Sequence, residues 1–324
     1  MARPEAVTAR PLARRSTRPV DLSARVGTVT LPNPVLTAAG TSGHGAELSG
    51  YFDLAALGAV VVKSLSVAPW AGNLAPRVHE ADFGMLNSVG LQNPGVSAWM
   101  ESELPQLAAA GARVVASIWG RSVDDYALVA AALRDAPPAV VAVEVNLSCP
   151  NLDRGRHMFA HSTSATQEAV AAAAVCGRPV WAKLSPNVAD ITEIAAAAAQ
   201  GGATALTLVN TVMGMAIDVE TRRPFLGAGA GGLSGPAIRP VAVRAVHECH
   251  LALPQLALVG VGGVSRGDHA VELLLAGASA VQVGTATFAD PRAPARVLAE
   301  LHDWCVRHDV RAVSQLVGSL NGTA

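Results

Sequence analysis

Lysine is almost missing from this chain. Of 24 basic residues in 324, two are lysines, Lys63 and Lys183, leaving 22 arginines. A compact ammonium and a planar guanidinium are not interchangeable, so the two lysines mark places where an ammonium has a task, unless they are chance survivors on the surface. Cysteine is also sparse. Cys149, Cys176, Cys249 and Cys305 lie far apart and form no CxxC pair. That spacing excludes a zinc ribbon or an iron-sulfur cluster held by this chain alone and suits a reducing cytoplasm. No run of 18 apolar residues occurs, and the arginine-rich start has no apolar stretch behind it, so neither a membrane-spanning helix nor a secretion signal is expected. A formal net charge of -1 and a pI near 6.8 offer no excess charge to draw nucleic acid or an anionic membrane. What remains is an apolar globular chain, 51% hydrophobic and 15% charged with 30 Gly and 20 Pro, whose expected partners are small neutral or anionic molecules.

Residues 1–20 are rich in Arg, Pro and Ala without periodicity and are expected to be a flexible tail. The remainder, 21–324, is expected to be a single domain. DLSARVGTVTLPNPV is expected to form a hairpin turning at Gly27. Eight short apolar runs follow, at 35–40, 60–65, 113–119, 141–148, 179–185, 205–211, 256–263 and 280–286. Runs this apolar suit strands covered on both faces, as in a parallel sheet. Helical stretches lie between them, several closed by glycine. Strands alternating with helices predict an α/β fold, a (β/α)8 TIM barrel, with an open doubly wound sheet as the alternative. The intervals after the second and sixth runs are about twice the usual repeat. Their surplus, including NSVGLQNPG and GMAIDVETRRPFLGAGAGGLSG, is expected to form inserted loops at the C-terminal face, where such barrels build their sites.

Polar residues and glycines interrupt the apolar pattern at the run ends: Gly40 and Thr41, Lys63 and Ser64, Asn146 with Cys149 and Asn151, Lys183, Asn210 and Thr211, Gly262 and Gly263, Gly284 and Thr285. Strand ends need turn residues in any case, but seven of eight ends share the pattern. The glycines closing the last two runs fall where barrels hold a phosphate on backbone N–H groups. No GxGxxG fingerprint accompanies them, which favours flavin mononucleotide (FMN) over a dinucleotide. A lysine beside such a flavin would stabilise its reduced, negatively charged ring. Cys149 opens a polar loop and is a candidate nucleophile or base. Cys176, Cys249 and Cys305 sit in helical stretches and are expected to pack as small apolar residues. The HECH cluster at 247–250 is expected to serve packing, with no metal.

The motifs LPNPVLTAAGT, VVKSL, GNLAPRV, GMLNSVGLQNPG, VNLSCPN, AKLSPNV, LTLVNTVMGMAID, GGLSGPAIRP and AVQVGTATF, in this order over residues 31–288, resemble the dihydroorotate dehydrogenase family. The resemblance implies an FMN-binding barrel that oxidises dihydroorotate to orotate in pyrimidine synthesis. Cysteine in VNLSCPN is similar to the soluble class, and GNLAPRV with GGLSG to its NAD-linked subtype. That subtype is a homodimer paired with a separate subunit carrying FAD and an iron-sulfur cluster. Carried over, Cys149 is the base that takes the C5 proton, with Lys63 beside it in the catalytic machinery. Lys63, Asn87, Val89, Gly90, Leu91, Asn146, Asn151, Asn210 and Thr211 hold orotate. Ala39, Lys63, Ser64, Asn146, Lys183, Val209, Gly235, Gly262, Gly263, Gly284 and Thr285 hold FMN. Three departures stand out: Ser117 where the family often has Asn, Ala39 where Ser is common, and DRGRHM after Cys149 where a more glycine-rich loop is usual. The altered loop leaves open a related flavin barrel acting on another dihydropyrimidine or cyclic amide. Without the resemblance, an aldolase using Lys183 as a Schiff base and a non-catalytic barrel are further readings.

Overall fold

The structure is a computed structural model that describes residues 19–148 and 158–321. Residues 1–18 of the expected tail, and Cys149 and Asn151 of the expected site, lie outside the described residues. The eight apolar runs form eight parallel strands: β1 (Val35–Thr37), β2 (Val60–Val61), β3 (Val114–Ile118), β4 (Val140–Asn146), β5 (Val180–Lys183), β6 (Ala205–Leu208), β7 (Ala257–Val261) and β8 (Ala280–Val283). Each pairs with its neighbours in sequence, and β8 pairs back onto β1. The remaining seam closes where Gly58 N donates to Val35 O at 2.8 Å and Thr37 N to Ala59 O at 3.3 Å. The sheet is therefore a closed (β/α)8 barrel.

Helices cover six of its connections, among them Val123–Ala132, whose start is fixed by a capping box between Ser122 and Asp125. The stretch after Ser97 is two helices, Val96–Ser102 and Leu104–Ala109. Pro105 lacks the N–H that a continuous helix needs there. Between β1 and β2 the chain makes only two 3-10 turns, Glu47–Gly50 and Leu54–Ala56. Among the described residues no helix is long and apolar enough to cross a membrane.

Alternation along each strand separates two cores. One set of strand residues, such as Val60, Val114, Val143, Leu206 and Val281, packs outward with the helices. The other set points to the barrel axis. Its lowest layer takes one residue from each strand or strand edge: Leu36, Val61, Val115, Ala142, Trp181, Ala205, Val259 and Ala280, all fully buried. Beneath them the hairpin Ala24–Val26 and Val29–Leu31, turning at Gly27 as expected, closes the bottom with Val26, Val29 and Leu31. Trp181 is the bulkiest member of this floor, and Trp181→Ala is expected to cost about 3–5 kcal/mol of unfolding free energy in a urea titration.

Two residues further along each strand the inward layer reads Ala38, Lys63, Ser117, Glu144, Lys183, Thr207, Val261 and Gln282. This layer is mostly polar and lies above an apolar floor.

The two long intervals are not simple loops. Val78–Ala81, Gly84–Asn87, Gly231–Ser234 and Val212–Gly214 form one antiparallel sheet at the mouth of the barrel, with Asn87 opposite Gly232 and Met85 opposite Ser234. Segments inserted after β2 and after β6 thus complete each other.

Candidate functional site

A cavity of about 910 Å³ opens at the C-terminal ends of the strands, walled on one side by the antiparallel sheet. Every nominated residue within the described chain lines it: Ala39, Lys63, Ser64, Asn87, Val89, Gly90, Leu91, Asn146, Lys183, Val209, Asn210, Thr211, Gly235, Gly262, Gly263, Gly284 and Thr285. Cys149 and Asn151 belong to the segment that leaves β4 just beyond Ser148 and are not described.

One wall is a chain of amides and hydroxyls. Asn210 Nδ2 donates to Asn146 Oδ1 at 3.1 Å, Asn146 Nδ2 donates to Ser64 Oγ at 3.2 Å, and the Ser64 and Ser117 hydroxyls share a bond at 2.9 Å. Tyr126 OH donates to Asn146 O at 2.7 Å and anchors the end of β4 from the helix layer. The short Ser117 hydroxyl reaches Ser64 and completes the chain. Opposite, Asn87 Nδ2 donates to Gly232 O at 3.3 Å across the antiparallel sheet.

Residues 88–91 form a tight bend in which Gly90 and Leu91 take φ of 74° and 66°. A side chain at Gly90 would run into Asn73, 2.5 Å from where its Cβ would stand. Asn73 Nδ2 donates to Ser88 O and Asn93 Nδ2 to Leu91 O, both at 2.9 Å, so the bend is tied down through its carbonyls. The N–H groups of Val89, Gly90 and Leu91 donate to no described residue. Successive free N–H groups in such a bend make a concave seat for an anion.

At the other end of the cavity the chain leaves β7 through Gly262 and Gly263. Gly263 has φ 69°, and a Cβ there would stand 2.6 Å from that of Arg239. The N–H groups of Gly263, Gly284 and Thr285 are likewise without described partners. Thr285 Oγ1 donates to Ser234 Oγ at 2.8 Å and joins this end to the antiparallel sheet. Arg296 also lines the cavity here and donates from Nη1 to Ser265 O at 3.0 Å.

Between the two ends stands Lys183, 5% exposed. Its ammonium lies 3.4 Å from Glu144 Oε1 and 3.4 Å from Gln282 Oε1. Lys63, two residues past the end of β2, also lines the cavity. His44 lies near it, and burial followed by the Lys63 charge pushes the His44 pKa below its ordinary value, which favours the neutral ring at pH 7.

Glu144, Thr207 and Gln282 were missed at the level of sequence. So was a cluster at the rim where the Arg121 guanidinium lies 3.9 Å from the Trp70 ring centre and 5.7 Å from that of Trp119. The available signal was an acidic residue in the middle of VAVEVN and an amide in AVQVGT, each interrupting an apolar run.

The three described cysteines are buried outside this cavity. Burial pushes the Cys176 and Cys305 thiols up, and pushes Cys249 up to about 12 with help from the Glu248 charge. They are packing residues, as expected. In the HECH cluster Glu248 is engaged by Arg244 at 2.8 Å, and Cys249 faces the core.

Residues 21–304 match the family described as "Dihydroorotate dehydrogenase". The catalytic subunit of dihydroorotate dehydrogenase B (NAD(+)) from Desulforudis audaxviator is 48% identical over 305 residues, 94% of this chain and 99% of the relative. The subunit of the same name from Geobacter sp. strain M21 is 46% identical over 301 residues, 93% of this chain and 98% of the relative. A Solibacter usitatus protein provisionally named dihydroorotate dehydrogenase A (fumarate) is 48% identical over 293 residues, 90% of this chain and 96% of its own. A match of this extent, on a barrel whose strand ends bring the family's motifs to one cavity, makes the chain a member of the dihydroorotate dehydrogenase family.

Proposed function

We propose that this chain oxidises dihydroorotate to orotate in pyrimidine biosynthesis, with FMN as its flavin. The observation that carries the reading is the pairing of two anion seats in one cavity. The free N–H groups at 89–91, beside the Asn87, Asn146 and Asn210 amides, suit a carboxylate on a ring bearing carbonyls and N–H groups. Those of Gly263, Gly284 and Thr285, near Arg296, suit a phosphate. A volume of about 910 Å³ accommodates a flavin together with a small substrate.

The residues fit FMN, and when bound it supplies a hydride acceptor. In this reading Ala39, Ser64, Val209, Gly235 and Gly262 line the flavin, and Lys183 places a positive charge where the reduced ring gathers negative charge. Asn210, Thr211, Asn146 and Asn151 turn the substrate ring so that its C6 faces the flavin. Lys63 neutralises charge beside the substrate, and Cys149 takes the C5 proton.

The relatives' designation as catalytic subunits supports a further chain beside this one; in this reading that chain carries FAD and an iron-sulfur cluster and joins a homodimer of this one in the cytoplasm. The four scattered cysteines could not themselves hold such a cluster. The isolated chain is expected to reduce artificial dyes well and to pass electrons to NAD only with that partner. Fast turnover of the isolated chain with fumarate would instead assign it the acceptor named for the Solibacter relative.

The deciding measurement is optical. Purified protein is expected to be yellow, and anaerobic dihydroorotate should bleach its flavin absorbance. A colourless preparation that fails to take up added FMN would overturn the cofactor. A flavin that dihydroorotate leaves oxidised would overturn the substrate.

A further inference from the structure

The polar layer just above the barrel floor has one carboxylate, Glu144, and it is fully buried. Glu144 Oε2 accepts from Gln282 Nε2 at 2.8 Å and from Thr207 Oγ1 at 3.0 Å, while Oε1 faces Lys183 Nζ at 3.4 Å. Gln282 is fixed by its own bond to Glu144, so its remaining carbonyl Oε1 is turned to Lys183 Nζ, again at 3.4 Å. Four strands, β4, β5, β6 and β8, thus converge on one ammonium or its immediate support. Both contacts to Nζ are longer than the usual charge-assisted 2.7–2.9 Å. An ammonium has three N–H donors, Lys183 lines the cavity, and among the described residues two of the three are engaged, which leaves the third for a ligand above. The other members of the layer, Ala38, Ser117 and Val261, carry no charge, and Lys63, two residues past β2, is its one other cation.

Burying a carboxylate costs desolvation that one cation at 3.4 Å and two neutral donors repay only in part, so stability alone does not account for Glu144 here. We propose that Glu144 is a positioning residue: braced by Gln282 and Thr207, it holds the Lys183 ammonium in place at the floor of the cavity, so that the site prefers the reduced form of its flavin. The inference rests on the reading of the cavity as an FMN site. Without Glu144 the ammonium has no counter-charge in a layer that also contains Lys63, and its contact to β4 is gone. In a Glu144→Gln protein one of the two carboxylate acceptors becomes an NH2 donor. With the amide oxygen kept on Gln282 and Thr207 the NH2 faces the Lys183 ammonium, and with the oxygen on Lys183 the NH2 meets the Gln282 amide and turns it, so Lys183 loses an acceptor in either arrangement.

The test uses the full-length apoprotein and FMN, oxidised or reduced anaerobically with dithionite, with the two dissociation constants measured at neutral pH. Relative to wild type, E144Q is expected to lose about tenfold of the preference for reduced over oxidised FMN. K183M should lose at least as much of that preference, and the E144Q/K183M double variant should match K183M, because Glu144 acts through Lys183. Should E144Q fail to fold, Q282L is expected to show a smaller loss in the same direction. A preference in E144Q, or in Q282L where that variant must stand in, equal to wild type would overturn the proposal. So would an equal weakening of both FMN forms that adds to the effect of K183M, since that is what a purely structural role gives. Wild-type apoprotein that binds neither form of FMN would instead defeat the flavin reading itself.

Discussion

Cys149→Ala is expected to remove nearly all dihydroorotate oxidation while FMN and orotate still bind. Oxidation of the C5–C6 bond releases a proton from C5, and a thiolate over the ring can take it when it is ionised at the working pH. Substrate and flavin positioning is assigned to other residues, so the loss should fall on turnover and leave orotate affinity close to that of wild type. The other three thiols cannot substitute, being buried outside the cavity with raised pKa values. A base acts only when deprotonated, so activity should rise with pH through the thiol titration, from a free-cysteine reference of about 8.5. Cys149→Ser should keep a weak activity shifted to more alkaline pH, because a hydroxyl is a poorer base at neutrality. Stopped-flow flavin reduction across pH measures all three. An alanine variant that reduces flavin at close to the wild-type rate would remove the assigned base, and with it the reading of VNLSCPN.

Lys183→Ala is expected to slow flavin reduction by a factor on the order of 10² or more, as when a preorganised donor to a developing negative charge is deleted. It should also lower the unfolding free energy by about 3–5 kcal/mol, the typical cost of leaving one partner of a buried ion pair alone, because Glu144 would lose its cationic partner in a fully buried place. Denaturant titration separates this loss from the kinetic one. Lys183→Arg should restore neither. The ammonium occupies a nearly closed position among Glu144, Gln282 and the floor, and a planar guanidinium is larger and directs its donors differently. Full activity in the arginine variant would show that the scarcity of lysine in this chain carries no meaning.

The barrel was legible because its strands are covered on both faces, so each reads as a nearly unbroken apolar run such as RVVASI or AVVAVEV. The strand ends were legible for a related reason: Lys63, Asn146, Lys183 and Asn210 break those runs where the chain reaches the mouth. The family motifs added residues 89–91, whose seat is made of backbone N–H groups that no side-chain pattern announces. The antiparallel sheet at the mouth was not legible. Asn87 and Gly232 pair across 145 residues, and neither GMLN nor GGLS has an apolar face that would mark it as a strand. Only the partner segment gives each its hydrogen bonds.

The sequence by itself determined the number and order of the strands, the end of the barrel that carries the chemistry, and the two lysines that matter there. Those properties are local, set by residue type and by periods of two and 3.6. Which alternate residues face the axis was decided only by closure of the sheet. Glu144, Thr207 and Gln282 stand on three different strands, and each looks like an isolated polar break in an apolar run. Closing the barrel turned all three inward at one height and brought them to Lys183. In a low-dielectric interior a carboxylate must find its partners, and these partners are 39, 63 and 138 residues away in the chain.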